Sequence, residues 1–142
     1  MREILFRGKR LDNGEWVEGA FLNDRDGAFY ICPAVSDISY GDGGNRRRIG
    51  CWYKVDPSTV GQYTGLKDKN GKRIFEGDII KWDYAYNEGK SYQVIYDVGG
   101  ACFSASRKHN GDNTSTIFYN DEQYAEDIGN IYDNPELLER GE

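Results

Sequence analysis

Between Gln62 and Ile80 the chain reads QYTGLKDKNGKRIFEGDII, nineteen residues that hold two tight reversals and run into the most apolar strand of the sequence. A chain that reverses twice in so short a span has no room for a long helix there and is committed to short paired strands. Tyr63 to Leu66, with Gly65 inside it, reads as a strand end, and Lys67 to Lys72 as a solvated connection. Asn70-Gly71 predicts a type I′ hairpin turn, because both residues tolerate positive φ and that turn matches the twist of the flanking strands. Arg73-Ile74-Phe75 resumes an extended chain, and Glu76-Gly77-Asp78 reverses it again, with Gly77 placed where a Cβ would be excluded. Ile79 to Trp82 then has the β-branched and aromatic character of a strand. Turn chemistry accounts for nearly every residue of this stretch, so Tyr63, Gly65, Asn70, Gly71, Gly77 and Asp78 are assigned a structural role.

The rest of the chain repeats the theme. Strands are expected around Glu3 to Arg7, over Trp16 to Leu22 and over Ala28 to Cys32. Asp12-Asn13-Gly14-Glu15 and Asn23 to Gly27 turn between them, a meander that needs little loop entropy. In the second of these strands, Trp16, Glu18 and Ala20 alternate with Val17 and Phe21. Residues 36–48 lose the pattern and read as a mobile surface loop, and Ile49 to Val55 as a buried strand. Further strands are expected over Ser91 to Tyr96, Ala101 to Ala105, Thr114 to Tyr119 and Ile128 to Tyr132, with Asp83 to Gly89 and Lys108 to Asn113 as loops. Asn134-Pro135-Glu136 sets an N-cap and a first-turn proline before Leu137 and Leu138, predicting a short terminal helix. The fold class is therefore all-β, short antiparallel strands in one or two small barrel-like sheets with a short C-terminal helix. With 142 residues, the chain is expected to form a single domain, residues 1–142, with room for two subdomains of about 1–60 and 61–142 sharing a core.

Three segments also carry a resemblance. The run YTGLKDKNGKRIFEGDII from Tyr63, the closing IGNIYDNPELL from Ile128 to Leu138, and the opening MREILFRGKR are similar to the YopX family of phage and prophage proteins. The resemblance implies a small, mostly β protein of phage or prophage origin that acts in a bacterial cytoplasm. The family brings no assigned activity and no agreed catalytic residues, so no site is carried over from it.

Composition bounds the function. Eleven tyrosines and eighteen glycines in a chain that is 38% hydrophobic fit short strands and glycine turns better than a helical bundle. No apolar run reaches the length of a membrane span, and the amino terminus is charged within two residues, which argues against a signal peptide and for a cytoplasmic protein. Cys32, Cys51 and Cys102 are odd in number and widely spaced, unlike a disulfide framework or a zinc site, and read as small buried hydrophobes. His109 is the single histidine, with no local partner for nucleophilic catalysis. No phosphate loop, nucleophile elbow, dinucleotide fingerprint or ion-binding loop is present, so no enzyme activity, metal or cofactor is expected.

Two binding readings remain beside a general protein-interaction role with a host or phage protein. Arg46, Arg47 and Arg48 lie near Trp52 and Tyr53, which combines charge for phosphates with rings for stacking bases. The net charge of −6 opposes this reading, because it repels a phosphate backbone at long range. The carboxylates from Asp121 to Asp133, including Glu122, Glu126 and Asp127, suggest instead an acidic mimic that occupies the nucleic-acid-binding face of a host enzyme. Unpaired strand edges and the surface of Trp16, Trp52 and Trp82 further predict a homo-oligomer.

Overall fold

The computed structural model describes residues 2–33, 39–40, 47–48, 52–83, 89–107, 114–116 and 122–139. Its chain divides into two compact units, Met1–Gln62 and Tyr63–Glu142. Both are built of antiparallel strands, and the architecture is mostly β as the sequence predicts, with no closed barrel among the described residues.

In the first unit, β1 (Phe6–Lys9), β2 (Trp16–Asn23) and β3 (Phe29–Cys32) form the expected meander. A later strand, β6 (Tyr53–Val55), then pairs with β3. The interior is filled by Ile31, Cys32 and Val55, at most 2% exposed, and by the rings of Phe6, Phe21 and Phe29, whose centroids stand 5.1–5.2 Å apart in sequence. The meander curls until Arg10 bridges Val55, while Leu11 N–H donates to the Lys54 carbonyl and Asp56 N–H to that of Lys9. The outer edge of β6 is thereby bonded within the unit. A single 3-10 turn, Pro57–Thr59, is capped by the Asp56 carboxylate, and the Thr59 hydroxyl accepts from Lys9 N–H at 2.9 Å.

Of the loop expected over residues 36–48, only 39–40 and 47–48 are among the described residues. β4 (Ser39–Tyr40) and β5 (Arg47–Arg48) form a two-residue antiparallel ladder. Of the strand expected over Ile49 to Val55, Tyr53–Val55 is strand, in register with Phe29 to Ile31, and residues 49–51 lie outside the described residues. Cys51 and His109 lie outside the described residues.

Strand β7 (Gly61–Lys67) pairs through Gly61 and Gln62 with β1, and from Tyr63 onward belongs to the second unit. There it meets β8 (Arg73–Phe75) with a register shift between Tyr63 and Lys67. The extra residues bulge around Gly65, and the Thr64 hydroxyl spans the gap by donating to the Ile74 carbonyl at 2.8 Å and accepting from Leu66 N–H. The bulge turns Leu66 against the core. A five-stranded sheet follows in the order β12 (Thr114–Thr116), β11 (Cys102–Ser106), β10 (Lys90–Asp97), β9 (Asp78–Trp82) and β13 (Ala125–Asn130). Its inner face supplies Ile80, Trp82, Tyr92, Val94, Ala105 and Ala125, joined by Ile74 of β8 and flanked by Leu66 and Tyr124. Each large apolar side chain so buried contributes about 1.5–3 kcal/mol.

The second reversal turns out to be a corner instead of a hairpin, since β8 pairs with β7 whereas β9 pairs with β10 and β13. Gly77 makes the corner, at φ +90°. Its N–H donates to the Val94 carbonyl at 2.8 Å, its carbonyl accepts from Ile131 N–H at 2.9 Å, and a Cβ would sit 3.0 Å from the Tyr132 ring. The Asp78 carboxylate, 1% exposed, closes the corner by accepting from Phe75 N–H at 2.7 Å. Here the sequence expectation for Gly77 and the structure agree.

The first reversal departs from expectation. Gly71 has φ +82°, but Asn70 is not at positive φ, so the turn is not type I′. The loop runs instead over five residues. Asp68 N–H donates to the Lys72 carbonyl at 2.8 Å and Gly71 N–H to the Asp68 carbonyl at 3.0 Å, the pattern of a type I turn followed by a left-handed glycine. Nor is the loop simply solvated, because Asp68 is only 6% exposed. Two smaller expectations, the bounds of the last strand and the burial of Cys102, are also corrected, while the short terminal helix is found where expected. The last strand is Ala125–Asn130, with Ile131 and Tyr132 already in the turn after a bulge between Asp127 and Gly129. The terminal helix, α1, is Glu136–Glu139, and the Asn134 side chain turns back to accept from Asn130 N–H at 3.4 Å. Cys102 is half-buried at the start of β11, beside the Ser104 hydroxyl, whereas Cys32 is buried as expected.

Candidate interaction surfaces

In the first unit the pleat of β1 and β2 sets cations beside rings. Lys9 lies opposite Trp16 and Arg7 opposite Glu18, so both cations share a face with the indole. The Arg7 guanidinium stands 4.7 Å from the Trp16 ring centre and the Lys9 ammonium 5.5 Å from it. Where the meander curls shut, the Arg10 guanidinium covers the Tyr53 ring at 4.0 Å and is bound by Asp12. The hydrogen bond from Arg10 holds the Asp12 carboxyl below its usual range. One face of the Tyr53 ring is therefore already taken by Arg10.

Of the residues the sequence brings forward as a contact site, Tyr53 is in β6, Trp52 precedes it half-buried, and Arg47 and Arg48 form β5 opposite Tyr40 and Ser39. Arg46 lies outside the described residues. The charge balance differs sharply between the units. Residues 1–62 hold nine Lys and Arg against nine Asp and Glu, whereas residues 63–142 hold nine against fifteen. The whole net charge of −6 belongs to the second unit.

The acidic stretch of the second unit is partly engaged in holding the fold. Glu126 pairs with Lys69 and Asp127 with Lys72, each at 3.2 Å. The Asp127 side chain is fully covered, and its other oxygen accepts from Gly129 N–H at 3.1 Å. Asp133 accepts from the Asn130 side chain. Asp121 lies outside the described residues.

A further surface escaped sequence analysis. The inner face of β10 continues past Tyr92 and Val94 to Tyr96, 46% exposed, and Val98 at the hairpin tip is 84% exposed. Phe103, opposite Tyr96 on β11, meets its ring edge-on at 5.4 Å. Ala101 closes the tip at φ +51°, a conformation that costs a non-glycine residue about 1–2 kcal/mol. Asp97 steadies the turn by accepting from Gly99 N–H at 3.0 Å. The signal in the sequence is the uncharged run Val98 to Ser106, unusual for a solvent-facing hairpin.

A family model described as "YopX protein" matches residues 5–139, which includes nearly all of both units. The chain belongs to the YopX family. Among solved structures, this YopX chain is similar to the crystal structure of protein EF1440 from Enterococcus faecalis, with 30% identity, a TM-score of 0.61, and coverage of 97% of this chain and 99% of that one. No curated protein matches it. The similarity extends over both the cation–aromatic face and the exposed hairpin. Among the described residues of this YopX chain, no helix is long and apolar enough to cross a membrane, and no three His, Cys, Asp or Glu side chains are grouped to hold a metal ion.

Proposed function

We propose that this YopX protein is a phage- or prophage-encoded accessory factor that acts in the bacterial cytoplasm by binding another protein, without a catalytic step of its own. The observation that carries the reading is the β10–β11 hairpin, whose tip exposes Tyr96 and Val98 beyond the core they extend. Exposed apolar side chains at a hairpin tip suit insertion into an apolar cleft of a protein, and Tyr is favoured in such contacts because it buries much area at small entropic cost. The test is affinity capture from a nuclease-treated bacterial lysate with wild type and Val98→Asp, a substitution at an exposed position that leaves the core intact. A protein retained by wild type and lost from Val98→Asp supports the reading. Identical capture by both variants, or none by either, overturns it.

A second reading, single-stranded nucleic acid binding through Arg46 to Arg48, is favoured by the even charge balance of residues 1–62. The covered face of Tyr53 opposes it. Replacing Arg47 and Arg48 by Ser and titrating a labelled oligonucleotide by anisotropy tests it, since phosphate contacts make binding fall steeply with salt. Self-association, expected from open strand edges, has less support at β6 and β13, whose outer backbone groups are bonded within their own units.

A further inference from the structure

The outer edge of β13 has an unusual neighbour. On its inner side the strand pairs regularly with β9. On its outer side the Ala125 carbonyl accepts from Lys69 N–H at 2.9 Å, and Asp127 N–H donates to the Asp68 carboxylate at 3.0 Å. These two groups flank Glu126, and a carbonyl and an N–H so placed are the pair a strand offers to an antiparallel neighbour. The loop Asp68 to Lys72 answers both, one with a backbone donor and one with a side-chain acceptor standing in for a carbonyl. It also brings two ammonium groups, Lys69 to Glu126 and Lys72 to Asp127. In hydrogen bonding and in charge, the loop imitates a basic extended strand.

We propose that the β13 edge is a strand-addition site for an extended, lysine- or arginine-bearing segment of a protein partner, and that the Asp68–Lys72 loop closes it as an internal stand-in. Charge selects the occupant. An arriving strand that displaces the loop must replace the cations that Glu126 and Asp127 lose, which a basic segment does and an acidic one does not. A second copy of the chain is a poorer fit, because antiparallel pairing about Glu126 would set two glutamates face to face. The site is remote in sequence from the hairpin tip at Val98, and the inference stands independently of it.

The closed loop lowers apparent affinity by the fraction of time the edge is open, so weakening it exposes the site. Asp68→Asn places an amide where Asp127 N–H needs an acceptor. Lys69→Pro removes the donor to Ala125 at the second residue of a type I turn, where proline is favoured, and so protects against failure to fold. The probe is a short labelled peptide alternating threonine and lysine, with a glutamate version as control, titrated by anisotropy alongside hydrogen exchange at the Asp127 amide. Both variants are expected to bind the lysine peptide about tenfold more tightly than wild type and to recover Asp127 protection with peptide bound, while Asp24→Asn behaves as wild type. Fast exchange at Asp127 with no gain in peptide binding, or equal gain for the glutamate peptide, overturns the site. Undiminished protection in both peptide-free variants overturns the loop as its closure, and a doubling of mass without peptide assigns the edge to a second copy.

Discussion

Two loops of this molecule share one sequence pattern and differ in depth. Asp24-Arg25-Asp26-Gly27-Ala28 joins β2 to β3 in the first unit, and Asp68-Lys69-Asn70-Gly71-Lys72 joins β7 to β8 in the second. In each, the aspartate N–H donates to the carbonyl four residues on, the glycine N–H returns to the aspartate carbonyl, and the glycine has φ +82°. In each, one carboxylate oxygen accepts from the N–H groups two and four residues later, at 2.8–3.0 Å. The second oxygen separates them. That of Asp24, exposed, accepts only the Tyr30 hydroxyl at 3.3 Å, while that of Asp68, buried, accepts Asp127 N–H from a strand 59 positions away. A local pattern thus specifies the loop conformation twice, and the arrival of a distant strand turns one of the two copies into a structural joint.

Comparing the two aspartates is the sharpest test of that difference. Asp68→Ala strips an acceptor from three backbone N–H groups, one of them on the covered edge of β13, and is expected to lower stability by about 3 kcal/mol. Asp24→Ala removes bonds that water can replace, and its melting temperature is expected to fall by less than half as much. Equal losses in chemical denaturation would mean that the joint to β13 contributes nothing.

The corner at Gly77 calibrates the scale. There a side chain meets both positive φ and the Tyr132 ring, so Gly77→Ala is expected to cost about 2 kcal/mol. In the two loops a Cβ would meet nothing within 4 Å, which leaves only the backbone strain. Gly27→Ala and Gly71→Ala should therefore each cost about 1 kcal/mol and agree with one another. A clearly larger loss at Gly71 would show that the joint stiffens the turn as well as anchoring it.

Acid gives a smaller effect with a definite sign. Burial pushes the Asp68 carboxyl up, but hydrogen bonds from Asp127, Lys72 and Asn70 outweigh it and hold the group below its ordinary value of 3.8. Asp24 is held below the same value chiefly by the hydrogen bond from Ala28. A carboxyl depressed in the folded state contributes stability that is fully present above 3.8 and is lost as pH falls through the lowered value. Stability measured from pH 5 downward should therefore decline less steeply in Asp68→Asn than in wild type. An unchanged slope would disprove the depression. Smallest of all, Lys69→Ala removes an ammonium whose pair with Glu126 is exposed on both sides, and is expected to cost about 0.5 kcal/mol, reduced further by salt.

What could be read from residues alone was conformation over short spans. The glycines at turns, the β-branched and aromatic runs, the meander of the first three strands and the short terminal helix are all legible because each depends on neighbours within a few positions. The type assigned to the Asn70-Gly71 turn failed even at that range. Asp68, two residues earlier, offers a carboxylate that favours a longer loop, and a dipeptide rule does not weigh it.

The exposed tip at Val98 left a trace in sequence, a run without charge, but a run of that kind reads equally well as core until its neighbours are known. The placement of Arg10 over Tyr53 left none, because forty-three positions separate the two residues and only the curl of the sheet joins them. The same limit governs the two loops. Residue types determined that the chain is mostly β and that Asp24 and Asp68 each fold a turn around a carboxylate. Only the tertiary structure decided that Asp68 is buried against β13 while Asp24 faces water, because burial depends on which distant backbone comes to rest against a loop, and no local interaction carries that information.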